Sequence, residues 1–138
     1  MDTITNDIVR QAVDALLEKK ASNIRIIDLR GLTSIVDYFV ICSADSEPQL
    51  KAIVDQVTDD LKAQNNRPWH TEGTQSWRWV LIDYVDVVVH IFREETRVFY
   101  GLERLWGDAP VTAVVIDEKT GEASFVAEHA PAAEIVHE

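Results

Sequence analysis

Two apolar segments, residues 77–83 and 86–92, lie only two residues apart, and this spacing constrains the fold more than any other feature of the chain. Strands so close in sequence pair as an antiparallel hairpin. With residues 84–85 as the turn, Asp83 faces Asp86, and directly opposed residues share one face of the sheet. One face is then nearly all aliphatic, and we expect it to lie under helices. It carries Arg78, Val80, Ile82, Val87, Val89 and Ile91.

The opposite face of this hairpin is aromatic with polar interruptions. Its expected opposed pairs are Trp77 with Phe92, Trp79 with His90, and Leu81 with Val88. Such a face is either covered by another segment, for example the C-terminal extension, or it binds a protein, because tryptophan and tyrosine dominate interface hot spots. A register slip of one residue would exchange the two faces.

The remaining segments predict further strands and helices. Apolar residues at i, i+4 spacing predict a helix within residues 1–20, with Thr3 or Thr5 as its cap. Residues 24–29 and 38–43 are predicted strands. The order α-β-β-α-β-β-α, in which helices and strands do not alternate singly, favours an α+β fold with a mixed sheet and helices mainly on one face.

Local signals set the bounds of two later helices. Ser46 and, three residues on, Gln49 form a capping box that begins a helix ending near residues 65–68. A last helix is predicted from Thr96, with Gly107 as its C-terminal stop. The expected buried face of this last helix consists of Val98, Leu102 and Leu105.

The charge of the chain constrains its partners. Thirteen basic and 24 acidic residues among 138 give a net charge of −11, which repels phosphate and argues against DNA or RNA as a direct ligand. A basic protein partner fits better. The single cysteine, Cys42, excludes an internal disulfide and fits a cytoplasmic protein, and no apolar segment is long enough to span a membrane.

The acidic charge is concentrated near the C-terminus, where residues 107–138 hold seven acidic side chains and one basic one. We therefore divide the chain into a domain over residues 1–107 and an acidic extension over residues 108–138. Two β-prone segments, 111–116 and 123–127, flank a turn and predict a hairpin followed by a mobile tail, although an extension that is mobile throughout fits the sequence as well.

Residues with catalytic potential are not arranged for catalysis. The four histidines lack metal-ligand spacing, and no glycine-rich phosphate loop or serine nucleophile motif occurs. Two-metal phosphoryl transfer needs converging carboxylates, yet the strand-associated Asp28, Asp37, Asp83 and Asp86 have no acidic partner two residues on. We expect no catalytic residue, no metal and no cofactor. The remaining alternatives are a nucleotidyltransferase-fold enzyme and a homodimeric interaction module.

Several motifs together resemble the ribosomal silencing factor (Iojap-like) family. The resemblance covers about residues 4–110, and segment 111–138 lies outside it. The family usually has a turn glycine before Asp86, whereas this chain has Val85, a β-branched residue that rarely adopts positive φ; the turn type is left open. The motifs are Asp28-Leu29-Arg30, Asp37-Tyr38-Phe39-Val40-Ile41, Glu72-Gly73, Trp79 to Asp83, Asp86 to Phe92, and Arg97-x-Phe99-Tyr100-x-Leu102-Glu103-x-Leu105-Trp106.

The resemblance implies a nucleotidyltransferase-like fold without catalytic acids. It further implies a protein that binds the large ribosomal subunit through its fourteenth protein, sterically prevents joining with the small subunit and represses translation when nutrients are scarce. On the hairpin face described above, the expected anchors are Trp79, Leu81, Val88 and His90. Tyr38 and Trp106 are expected flanking contacts, and Trp106 fits a core position as well.

Overall fold

A computed structural model describes residues 6–128 as four helical segments and seven strands. The proposed caps Thr3 and Thr5 and the tail at 131–138 lie outside the described residues. The helices are α1 (Asp7–Glu18), α2 (Glu47–Ala63), α3 (Glu94–Tyr100) and α4 (Leu102–Leu105). The strands are β1 (Ser22–Asp28), β2 (Tyr38–Ala44), β3 (His70–Glu72), β4 (Trp79–Asp83), β5 (Val87–Arg93), β6 (Val111–Ile116) and β7 (Ala123–Glu128).

The seven strands form one mixed sheet in the order β3-β4-β5-β2-β1-β6-β7. The central pair β2–β5 is parallel, and every other neighbouring pair is antiparallel. Parallel neighbours need a long crossover, and α2 supplies it by returning the chain across the sheet between β2 and the β3–β5 meander. The predicted α+β class and mixed sheet are therefore confirmed.

Helices α1 and α2 cover one face of the sheet, as the sequence predicts. Their buried stripes pack on the aliphatic face of the β4–β5 hairpin in the larger of two apolar clusters. This confirms the prediction that the aliphatic hairpin face lies under helices. That face contributes Val80, Ile82, Val87, Val89 and Ile91 to the cluster.

The turn of this hairpin is shifted from the predicted position. Tyr84 N donates to Val87 O at 2.8 Å, so the turn is residues 85–86, and Asp83 pairs with Val88 instead of Asp86. Every opposed pair therefore moves by two residues along one strand, and Trp79 lies opposite Phe92. Because side chains alternate with a period of two, a two-residue shift keeps each residue on its predicted face.

Val85 has φ +76° at the tip of this turn. Asp86 N donates to Tyr84 O at 2.9 Å, which makes Val85 the central residue of a tight three-residue turn. A positive φ is costly for a β-branched residue, and the position is one where glycine fits without strain. Asp83 stabilises the turn, because its Oδ1 accepts a hydrogen bond from Val85 N at 2.7 Å.

Trp77 departs from its predicted face. It precedes β4 with φ +57°, and its ring packs against the α1–α2 side of the sheet, where Lys51 Nζ lies 5.1 Å from the ring centroid. The residue is outside the regular pairing of β4, which begins at Trp79. Strand alternation therefore does not extend to it, and the expected pair of Trp77 with Phe92 is wrong.

The caps of the first two helices are well defined. Asn6 Oδ1 accepts from Val9 N at 3.1 Å, so Asn6 caps α1 in place of Thr3 or Thr5. Ser46 caps α2 as predicted, with its hydroxyl accepting from Gln49 N at 3.2 Å. The Gln49 amide oxygen, however, accepts from Asp45 N instead of Ser46 N, while its Nε2 donates to the carbonyl groups that end α1.

The C-terminal third differs most from the prediction. The last helix is interrupted at Gly101, which has φ +57°, and it becomes two short segments. Of its predicted buried face, Val98 and Leu105 are exposed and only Leu102 is buried. The predicted 111–116/123–127 hairpin is confirmed as β6–β7, and β6 pairs with β1. The sheet thus continues through the proposed boundary near residue 107. Strand β3 was not predicted, since three residues carry no usable periodicity.

We predict that Val85→Gly raises the free energy of unfolding by about 1 kcal/mol, because it removes left-handed backbone strain from a side chain that is mostly exposed. Urea denaturation followed by circular dichroism measures the change. Val85→Ala keeps a Cβ at the same φ and is the matched control, with an expected change less than half as large. A destabilised Val85→Gly variant would contradict this account of the turn.

Candidate partner-binding surface

Seven aromatic rings form a continuous row across the sheet face opposite α1 and α2. Adjacent rings of this aromatic row lie 4.5–6.2 Å apart between centroids, within the range in which aromatic pairs attract. The row crosses β4, β5 and β2 and is flanked by the two short helices at its ends. Its members are Phe99, Tyr100, Trp79, Phe92, His90, Phe39 and Trp106.

Trp79 is the central ring of the row. Its indole stacks on Phe92 at 4.7 Å and contacts Tyr100 at 5.1 Å. The indole Nε1 donates a hydrogen bond to His90 Nδ1 at 3.1 Å. An indole nitrogen can only donate, so His90 Nδ1 is unprotonated and the imidazole proton is on Nε2.

His90 is a buried, neutral support for Trp79. Only 3% of the residue is exposed, and burial lowers the pKa of its imidazole to about 3. The edge-on ring of Phe39 lies 4.5 Å away. Among the described residues, Nε2 is buried without a hydrogen-bond partner. A neutral imidazole keeps Nδ1 available as an acceptor and so fixes the orientation of the indole.

The six residues expected to bind a partner divide into three groups. Trp79, Leu81 and Trp106 are partly exposed and pack on the second apolar cluster, on the predicted face. Val88 and His90 lie on that face but are buried beneath these side chains, so they support the surface and are not anchors. Tyr38 was placed wrongly: it is buried in the α1–α2 cluster, with the Arg30 guanidinium 5.2 Å from its ring centroid.

Three aromatic members of the surface are absent from the six residues expected from the sequence. Phe99 and Tyr100 are exposed by 77% and 54%, at the end of α3 beside Trp79. Phe39 is partly buried between His90 and Trp106. Strand alternation was the signal that would have found Phe39, because its neighbour Tyr38 occupies the opposite face. No comparable signal existed for Phe99 and Tyr100, because the predicted helix had no break at Gly101.

A buried ion pair holds α3 and α4 against the sheet and so positions Tyr100. Arg97 is 7% exposed, and its Nη2 donates to Glu103 Oε2 at 2.8 Å while Nε donates to Oε1 at 3.3 Å. Its Nη1 donates to the Asn23 carbonyl and to Ser43 Oγ, both at 2.8 Å. One guanidinium therefore connects both short helices with β1 and β2.

Gly73 permits a close approach of the chain to the start of β4. Its φ is +95°, and a Cβ at this position would overlap the carbonyl oxygen of Trp79. The loop before β4 can therefore lie directly against the strand. A groove of about 600 Å³ runs beside this strand start, between Trp79, Tyr100 and the exposed side of α3.

The described part of the chain offers little for metal or thiol chemistry. Within residues 6–128, no group of three His, Cys, Asp or Glu side chains converges on one point. Cys42 is fully buried, and burial raises the pKa of its thiol to about 12, which keeps it protonated. No helix in this part of the chain has the length and apolar character needed to cross a bilayer.

The aromatic row thus combines buried rings, Phe92 and His90, with exposed ones, Phe99 and Tyr100, on one face of the sheet. The model of the family "Ribosomal silencing factor during starvation" matches residues 2–136, and the chain belongs to this family. The ribosomal silencing factor of Halalkalibacterium halodurans is 40% identical over 104 residues, which is 75% of this chain and 89% of that protein.

Two further similarities support this membership. The chloroplastic protein Iojap of Zea mays is 37% identical over 95 residues, covering 69% of this chain and 41% of that longer protein. A crystal structure of a protein from Chromobacterium violaceum superposes with a TM-score of 0.72 at 34% identity, over 76% of this chain and 88% of that one. The family resemblance seen in the sequence motifs is therefore confirmed, but its expected limit near residue 110 is wrong, because the family model extends to residue 136.

We predict that Arg97→Lys lowers the free energy of unfolding by about 3 kcal/mol, because a lysine cannot replace the forked contacts to Glu103, Ser43 and Asn23 and leaves buried groups unpaired. Chemical denaturation measures the loss. Arg104→Lys, at an exposed position of α4, is the matched control and should change stability by less than about 0.5 kcal/mol. Equal effects of the two variants would show that Arg97 is not the anchor.

The lowered pKa of His90 predicts a specific pH dependence of stability. Below about pH 6.5 the unfolded chain protonates this imidazole, whereas the folded chain stays neutral down to about pH 3. This residue therefore causes a loss of stability, as pH falls through that window, of at most about 1.4 kcal/mol per pH unit. His90→Gln removes this contribution, so its unfolding free energy should depend less on pH between 6.5 and 5. Parallel curves for the two proteins would contradict the buried neutral state.

Proposed function

We propose that this chain binds the large ribosomal subunit through its fourteenth protein, at the face that meets the small subunit. The bound domain prevents joining of the subunits by its bulk and so represses translation when nutrients are limiting. The proposal places the chain in the cytoplasm with the ribosomes. The family of ribosomal silencing factors supports a ribosomal target, and the aromatic row supplies a surface for it.

The observation that carries the proposal is the exposed end of the aromatic row. Tyr100 contacts Trp79, Phe99 packs edge-on against Tyr100 at 5.0 Å, and all three border the groove beside β4. Large aromatic side chains fixed by neighbours lose little conformational entropy on binding, which makes them effective hot spots. Leu81 and Trp106 extend the same apolar surface.

The net charge selects the kind of partner. A chain with charge −11 is repelled by exposed ribosomal RNA but attracted to a basic protein embedded in it. Electrostatic attraction raises the association rate and is screened by salt, whereas the aromatic contacts are not. Binding should therefore weaken, without disappearing, as the salt concentration rises.

Steric repression requires contact and no chemistry. A stable interface buries about 1,200–2,000 Å², which is within the reach of a domain whose described part exposes 8156 Å². We propose that the chain acts without catalysis and without a cofactor. Asp83 and Asp86, the acidic pair nearest to a catalytic arrangement, belong to the β4–β5 turn, where Asp83 bonds to the turn backbone.

Self-association through the same surface is the second candidate function. Phe99, Tyr100 and Leu105 are all more than half exposed, and apolar side chains clustered in this way often mark contacts between proteins. A homodimer would cover them off the ribosome. Sedimentation velocity over a hundredfold dilution separates this case from a monomer, and the same aromatic substitutions should abolish a dimer.

We predict that Tyr100→Ala and Phe99→Ala each weaken binding to purified large subunits by at least fivefold, since each removes an exposed ring of the row. Trp79→Ala should cost more than about 1 kcal/mol of binding free energy. Co-sedimentation of the folded variants with large subunits measures this. Trp69→Ala is the matched control, because Trp69 is 71% exposed but outside the row, and it should bind normally.

Two results would contradict the proposal. The first is undiminished binding of the Tyr100 and Phe99 variants, which would place the contact elsewhere on the chain. The second is normal joining of the two subunits when the large subunit is saturated with this protein, as measured by light scattering. Crosslinking of the bound chain identifies the ribosomal protein that it contacts.

A further inference from the structure

Among the described residues, the outer strand β7 ends the sheet with an edge of six residues that no further strand covers. Within residues 6–128, β7 pairs only with β6. Asp117 N donates to Glu122 O at 2.9 Å across the β6–β7 hairpin. At this pair the main-chain carbonyl group of Glu122 therefore points inward, toward β6. Because inward and outward pairs alternate along an antiparallel ladder, the N–H and C=O groups of Ala123, Phe125 and Ala127 point away from the sheet.

The two edges of the sheet differ in how they are protected. The opposite edge, β3, has only three residues, and its His70 and Glu72 side chains bond to each other at 2.8 Å. Short strands and charged side chains are the usual means of keeping an edge from pairing. Strand β7 is twice as long, and its interior positions, 124–127, hold neither a charged residue nor a proline. It is the edge on which a further strand fits.

The charges around β7 favour a basic strand. The hairpin carries Asp117, Glu118, Glu122 and Glu128 against a single basic residue, Lys119, and of these carboxylates Glu128 is paired with Arg25 of β1 at 3.2 Å. A second copy of the chain paired antiparallel about Phe125 would place Glu122 of each copy opposite Glu128 of the other. Like charges directly opposite each other destabilise a strand pair, whereas lysine or arginine at those positions would stabilise it.

We infer that β7 is a docking edge for an extended, lysine- or arginine-rich polypeptide segment, which adds to the sheet as an eighth strand. Main-chain hydrogen bonds to Ala123, Phe125 and Ala127 give affinity, and the acidic ends give charge selectivity. The edge lies four strand positions from β5, about 19 Å at 4.8 Å per strand. It therefore acts independently of the aromatic row and of the function proposed for it.

The test uses a blocked octapeptide of alternating lysine and valine, and amide hydrogen exchange of the full chain followed by NMR. Saturating peptide should slow exchange of the Ala123, Phe125 and Ala127 amides at least tenfold and leave Ser124 and Val126, which bond inward, unchanged. The matched control peptide, alternating glutamate and valine, should have no effect. No slowing with the basic peptide, or equal slowing with the acidic one, would overturn the inference.

A pair of variants tests the edge itself. Ala127→Pro removes an outward N–H without removing a bond to β6 and should weaken peptide binding at least tenfold, whereas Ala127→Val should bind normally. Unchanged Ser124 and Val126 exchange shows that the hairpin of Ala127→Pro is intact. Equal binding by the two variants would overturn the inference. Slow exchange of the three outward amides in the dilute, peptide-free chain would also overturn it, because the edge would then already be covered.

Discussion

The position of the exposed end of the aromatic row depends on one buried guanidinium. Arg97 bonds to Glu103 across the break at Gly101, and to Ser43 and the Asn23 carbonyl on the sheet. Segments of seven and four residues are too short to be stable helices alone, so their positions come from this anchor and from Leu102, which is buried. The positions of the exposed Phe99 and Tyr100, which belong to α3, therefore depend on the contacts of Arg97.

The rest of the aromatic row is fixed from below. His90 is neutral because it is buried, and its Nδ1 accepts the Trp79 N–H. Protonation would place a charge in an apolar layer and remove the acceptor at the same time, and both effects oppose it. Buried residues on this face thus act on the exposed surface indirectly: they hold Trp79 in the orientation in which it contacts Tyr100. Rigid aromatic surfaces bind without a large ordering cost.

Much of the fold was predictable from local pattern. The hairpin faces, the Ser46 cap and the β6–β7 hairpin follow from alternation and capping chemistry, and these predictions are confirmed. The hairpin register was wrong because a turn centred on Val85 at positive φ contradicts the ordinary preference of valine. The faces remained correct only because the shift was by an even number of residues. Trp77 lies on the other face for a related reason. It precedes the first residue of β4 and has a positive φ, so strand alternation does not apply to it.

The site was predictable only in part, because burial depends on tertiary packing. Alternation places His90 and Val88 beside Trp79, but it does not reveal that both are buried. Alternation also does not reveal that Arg97 bonds to Asn23 and Ser43, which are far from it in sequence, as well as to Glu103 six residues on. The surface combines residues of a strand, a helix end and Trp106. Predicting it would therefore require knowing the order of the strands and the position of the helix break.

The aromatic row and the β7 edge offer a partner two different kinds of contact. The aromatic row, on the face of β4, β5 and β2, offers apolar, salt-insensitive contact, whereas β7 offers main-chain hydrogen bonds flanked by carboxylates. Both suit a basic protein and neither suits RNA, because phosphate would meet acidic side chains at the strand edge and apolar rings at the row. The seven-stranded sheet joins them rigidly, so a partner that contacts the row has a fixed position relative to the edge. The acidic charge of the chain therefore agrees with the protein contact proposed for it, because a net charge of −11 repels exposed RNA.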